Sequence, residues 1–108
     1  MLERVKTALR VGTNVYDQEL LGLLAAGIAD IRHAGARFEA NEVRTSDAVT
    51  DYSVTDPLVS DALVIYCKLY FGSPDDFDRL KGAYDEKKGQ LRESSAYGMI
   101  DLGHEVRW

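Results

Sequence analysis

Few side chains in this 108-residue sequence combine a reactive type with a useful spacing. Cys67 is the only cysteine, which excludes an internal disulfide and a cysteine-based zinc knuckle. It lies between Tyr66 and Lys68 in an apolar helical pattern, and no local base is placed to take its proton. It reads as a small packing residue. The two histidines, His33 and His104, have no metal-ligand spacing between them, and His33 suits the negative pole of a helix end. Asp75, Asp76 and Asp78 could gather a cation, but they lack the ligand ladder and glycine of a calcium loop. Their place at a helix start already explains them. No nucleotide-cradling loop, hydrolase elbow or zinc-protease helix occurs. The residues call for no catalytic group, no metal and no cofactor, so a non-enzymatic protein is expected.

Bulk properties narrow the classes further. The net charge is −5, and the 13 Lys and Arg are scattered, with only Lys87 and Lys88 adjacent. Such a chain repels phosphate backbones unless its cations segregate onto one face, so nucleic-acid binding is not expected. No apolar run reaches the length of a membrane span. Glu3, Arg4 and Lys6 interrupt the place where a signal peptide needs its apolar stretch, which points to a cytoplasmic origin. At this length one domain is expected, marginal enough by itself that burial against a partner or another copy is plausible.

The elements that would position these residues are mainly helical. Leu2, Val5 and Leu9 predict a short first helix stopping near Gly12. Thr13 and Asn14 offer a polar N-cap for a second, with Asp17 and Glu19 in its first turn. Leu20, Leu21, Leu24, Ile28 and Ile31 give that helix the clearest stripe in the chain, and Gly35 ends it. Residues 36–55 hold no sustained helical period and are expected as a long loop, in which Phe38, Val43, Val49 and Tyr52 could support short extended pieces. Asp56-Pro57 starts a third helix, striped by Leu58, Ala62, Ile65, Tyr66 and Leu69 and ending at Gly72. Ser73-Pro74-Asp75-Asp76 repeats the start signal for a fourth, carried by Phe77, Leu80, Tyr84 and Leu91 and interrupted by Lys87 and Lys88.

The tail changes period. Ile100, Leu102, His104, Val106 and Trp108 alternate with Asp101, Gly103, Glu105 and Arg107, which predicts a short strand that must pair with the 36–55 segment or another chain; a loose chain end is the alternative. Gly82 and Gly89 lie on one face of the fourth helix, either tolerated there or marking close approach of another backbone. Tyr66, Tyr70, Tyr84 and Tyr97 cluster on or after the last two helices, and tyrosine is enriched in protein interfaces. The expected fold class is therefore all-α: a bundle of four helices, a long loop between the second and third, and a short C-terminal strand.

With the helices placed, the chain resembles the small head–tail connector (head-completion, "DNA-packaging") proteins of tailed bacteriophages. The likeness rests on Leu9-Arg10-Val11, the helix within Thr13–Ala34, Asp56-Pro57-Leu58, the phrase Ile65-Tyr66-Cys67-Lys68-Leu69-Tyr70-Phe71-Gly72, and the series Tyr84, Lys88, Leu91, Ser94, Tyr97. It covers residues 1–34 and 56–98, leaving the 36–55 loop and the tail to local physics. The resemblance implies a helical connector domain over 1–98 with a tail at 99–108. It implies a structural adaptor of the virion, assembled in the bacterial cytoplasm as a ring on the portal protein and meeting the next head-completion or tail protein. DNA would slide through an acidic channel without specific binding. Residues expected at interfaces are Phe38, Val43, Tyr52, Gly82, Gly89, Tyr97, Ile100, Leu102, Val106 and Trp108. The competing readings are a small DNA-binding helical regulator, a small enzyme or enzyme subunit, for which the residues offer no constellation, and a helical interaction module unrelated to phage.

Overall fold

The apolar stripes of the second and third helices become the centre of the molecule. The structure is a computed structural model describing residues 1–72 and 74–107, with 95–107 described as backbone. Helices α1 (Leu2–Leu9) and α2 (Asp17–His33) precede strands β1 (Ala40–Thr45) and β2 (Ala48–Val54), followed by α3 (Pro57–Tyr70) and α4 (Phe77–Arg107). Leu20, Leu24 and Ile31 of α2 meet Val59, Leu63 and Leu69 of α3 with almost no exposure, joined by Val5 of α1 and Tyr84 of α4. Each such side chain stabilises the fold by roughly 1.5–3 kcal/mol through burial. Gly27 sets the spacing of α2 and α3, because a Cβ there would lie 2.8 Å from Leu63 Cδ2 and 3.1 Å from Tyr66 Cδ1.

Helix boundaries follow local chemistry. Asp56 caps α3, its carboxylate accepting from Leu58 N at 2.9 Å, with Pro57 in the first turn. Gly35 follows the end of α2 at φ +107°, a left-handed conformation that glycine adopts freely. The expected cap at Asn14 is not made. Asn14 Oδ1 instead accepts from Lys6 Nζ at 2.7 Å, and Asp17 Oδ1 lies 2.9 Å from the same ammonium. Lys6 is only 6% exposed, and leaving a buried ammonium unpaired would cost far more than an uncapped helix start. Ser73, the expected cap of α4, lies outside the described residues.

Two expectations about regular structure are corrected. The 36–55 segment is an antiparallel hairpin, so the protein is mostly helical and not all-α. Thr45 pairs with Ala48 across the turn, where Ser46 takes φ 57°. A bulge sets Val43 opposite Asp51 and Arg44 opposite Val49, leaving Thr50 unpaired and its hydroxyl donating to the Val43 carbonyl. The extra residue breaks the two-residue period and hides the strands from a pattern reading. The tail strand is replaced by helix, since α4 runs unbroken to Arg107 and carries Ile100, Leu102 and Val106. Met99, Leu102 and Val106 also fit a spacing of three and four, and a short apolar run cannot distinguish the two periods. Trp108 lies outside the described residues.

Candidate functional site

The hairpin is fixed to the bundle by one carboxylate. Asp51 Oδ1 accepts from Leu2 N at 2.8 Å and from Tyr52 N at 2.7 Å, and it lies 3.3 Å from the Met1 ammonium. It thereby caps α1 from a distant part of the chain, where Met1 offers no side-chain cap. Partial burial pushes the Asp51 carboxyl pKa up, but the two N–H donors and the neighbouring ammonium outweigh it and hold the group below its ordinary value. Arg32 adds a second fastening, donating to the Ala40 carbonyl at 3.3 Å with its guanidinium 5.1 Å from the Phe38 ring centroid.

A groove of about 350 Å³ opens between α2 and the hairpin. Ala25, Ile28, Ala29 and Tyr52 form its walls, and Arg32 and Glu42 place opposite charges beside them. Phe38, just before the hairpin, and Tyr52, on β2, are half-buried against the core, whereas Val43 is 44% exposed on β1.

A polar constellation ties α4 to α2. Tyr84 Oη donates to Asp30 Oδ2 at 2.6 Å, and Lys88 Nζ donates to the same oxygen at 3.1 Å. A catalytic tyrosine needs its phenol made more acidic, yet burial and the Asp30 carboxylate both raise the Tyr84 pKa. Tyr84 is thus a buried strut, and Lys88, which breaks the apolar row in sequence, is the cation Asp30 receives. Cys67 is fully buried and its thiol is pushed up to about 12 by desolvation. His33 is exposed at the end of α2, and Asp75, Asp76 and Asp78 are exposed around the start of α4, where Asp76 pairs with Arg79.

Comparison with protein families finds the phage connector protein model over residues 1–98. The chain belongs to the phage connector protein family. Comparison with curated proteins and with solved structures returned no match. Membership assigns the connector to the structural parts of a bacteriophage, joining head to tail, with phage head and tail proteins as the implied partners and a non-enzymatic role. No helix among the connector's described residues is long and apolar enough to cross a membrane.

The connector's surfaces include a feature that sequence reasoning missed. Tyr16 packs edge-on against Phe71 with centroids 5.3 Å apart, and Tyr70 against Phe77 at 6.4 Å. These contacts gather the start of α2, the end of α3 and the start of α4 at one end of the bundle. Val15 is 79% exposed there, with Tyr16, Tyr70 and Phe77 between 38% and 44%. Tyr16 and Val15 precede the α2 stripe, so no periodicity singled them out. Gly82 lies little more than a turn beyond Phe77 along α4 and Gly89 two turns further, and a Cβ at either meets no described atom within 4 Å. Tyr97 lies on the backbone of α4.

Proposed function

We propose that the protein is a head–tail adaptor that assembles as a ring on the portal and continues the DNA channel toward the tail. The family match over residues 1–98 carries this reading. Three features of the chain support it. A net charge of −5 suits a channel wall along which DNA slides without sticking. The exposed aromatic end supplies apolar area of the type found at the centre of protein interfaces. The hairpin, held to the bundle by Asp51, offers Val43 on a strand that stands clear of the core.

The proposed assembly surfaces are the hairpin with Phe38, Val43 and Tyr52, the Gly82/Gly89 face, and the end of α4 from Tyr97 onward. In this reading residues 1–98 form the connector domain and 99–108 a terminal extension, and the protein resides in the virion after assembly in the bacterial cytoplasm. Mixing the purified protein with portal protein of the same phage tests the reading. The expected result is a ring-sized complex in sedimentation, with no retention of the free protein on duplex DNA at physiological salt. Failure to bind portal together with tight DNA binding would overturn it.

A further inference from the structure

The hairpin has two edges, and only one of them is closed. Val43 gives its carbonyl to the Thr50 hydroxyl of β2, so its main chain turns inward. Its neighbour Glu42 stands opposite Tyr52, whose N–H donates to Asp51 Oδ1 at 2.7 Å and whose carbonyl accepts from the Met1 ammonium at 3.2 Å. Glu42 and Tyr52 are therefore a pair without ladder bonds, each turned to the outer edge of its own strand. The contacts with Asp51 and Met1 close the β2 edge. On the β1 edge Ala40 gives its carbonyl to Arg32, but beyond it the main chains of Glu42 and Arg44 face outward with no partner among the described residues.

An open strand edge is a template for another strand, and proteins blunt such edges with proline, lysine, bulges or unpaired charge. β1 carries neither proline nor lysine, and the extra residue of the bulge belongs to β2. The charges of Glu42 and Arg44 meet each other at 3.0 Å. β2 packs against α2 and α3, which leaves residues 41–45 exposed on the outer strand.

The strand that fits this edge is β1 of a second copy. The sheet has only two strands among the described residues, and the edge of β2 is closed. Antiparallel pairing sets outward-facing residues opposite one another. Centred on Glu42 or on Arg44, it would place a like charge opposite itself, which is destabilising; centred on Val43, it places each Glu42 opposite the partner's Arg44. Each carboxylate keeps the guanidinium of its own chain and gains a second. On the other face of the strand Val43, 44% exposed in one copy, meets the partner's Val43 at a position without ladder bonds, where side chains approach most closely.

We propose that the free protein pairs through β1 with a second copy, antiparallel about a two-fold axis at Val43, merging two hairpins into one sheet. The inference goes beyond the ring reading, because a two-fold contact satisfies itself and does not propagate around a ring. It covers Val43, so the copies part before that residue meets another assembly protein.

Sedimentation of the full-length protein without portal, over a wide concentration range, tests the pairing. The mass should rise with concentration from that of one chain to that of two. Amide exchange at Glu42 and Arg44 should slow with it, while Val43, already in its own ladder, stays unchanged. Oxidised Val43→Cys should form a disulfide-linked dimer and oxidised Thr45→Cys should not, because Thr45 lies opposite the partner's Asn41; buried Cys67 leaves the native chain as the unlinked control. Glu42→Arg and Arg44→Glu should each stay monomeric alone and pair when mixed. A protein monomeric throughout, a dimer whose Glu42 and Arg44 amides exchange freely, or equal cross-linking at positions 43 and 45 would overturn the pairing. Protection of those amides only after portal is added would overturn it as well and give the edge to a strand of the portal. The free-protein assays involve no portal, so their failure leaves the adaptor reading untouched.

Discussion

Replacing Asp51 with alanine tests how the hairpin is held. The substitution removes an acceptor from Leu2 N and Tyr52 N and uncaps α1. Hydrogen bonds to a charged group contribute about 1.5–3 kcal/mol each in favourable settings, and a lost N-cap costs about 0.5–2 kcal/mol. The Asp51 side chain is 35% exposed, so water replaces part of what is lost and screens its charge. The expected net loss is about 1–2 kcal/mol, or a fall of roughly 1 M in urea midpoint for a protein of this size. The pH dependence has a definite sign. Because the folded carboxyl titrates below its ordinary value of about 3.9, its contribution is complete above that pH and disappears as pH falls through the lower folded value. The variant should therefore lose stability at neutral pH and show a shallower decline in acid, while amides of β1, β2 and the first turn of α1 exchange faster. An unchanged midpoint at neutral pH, or acid sensitivity identical to the native chain, would refute Asp51 as the fastening.

Gly27→Ala adds a methyl 2.8 Å from Leu63 Cδ2, so overpacking of about 1–3 kcal/mol should outweigh the ~1 kcal/mol gained in helix propensity, giving a lower melting temperature by calorimetry. Gly82→Ala and Gly89→Ala meet no described neighbour, and each should raise the stability of the free protein by up to ~1 kcal/mol in urea titrations. If that face approaches another subunit closely, the same pair of substitutions should weaken assembly on portal, which sedimentation of the mixture will show. Cys67 should resist maleimide in the native protein at neutral pH and react on unfolding, as mass spectrometry of a urea series can follow; fast native labelling would contradict its burial.

The sequence by itself determined the helices and the centre of the core. The stripe from Leu20 to Ile31, the Asp56-Pro57 start and the Gly35 stop are local or near-local signals, legible because helix periodicity and capping act over a few residues. Cys67 as packing was legible for the same reason. Tertiary structure alone decided the rest. Asn14 was drawn from capping by Lys6, a buried cation whose need appears only once α1 packs. The hairpin lacks a glycine turn and contains a bulge, and Asp51 stabilises it through Leu2, far away in sequence. The aromatic end brings Tyr16 to Phe71, and the groove joins Ala29 to Tyr52, so neither surface exists as a sequence pattern. In the tail the two periods coincide over a few residues, and continuation of an already nucleated helix decided between them, because extending a helix is easier than starting a new element.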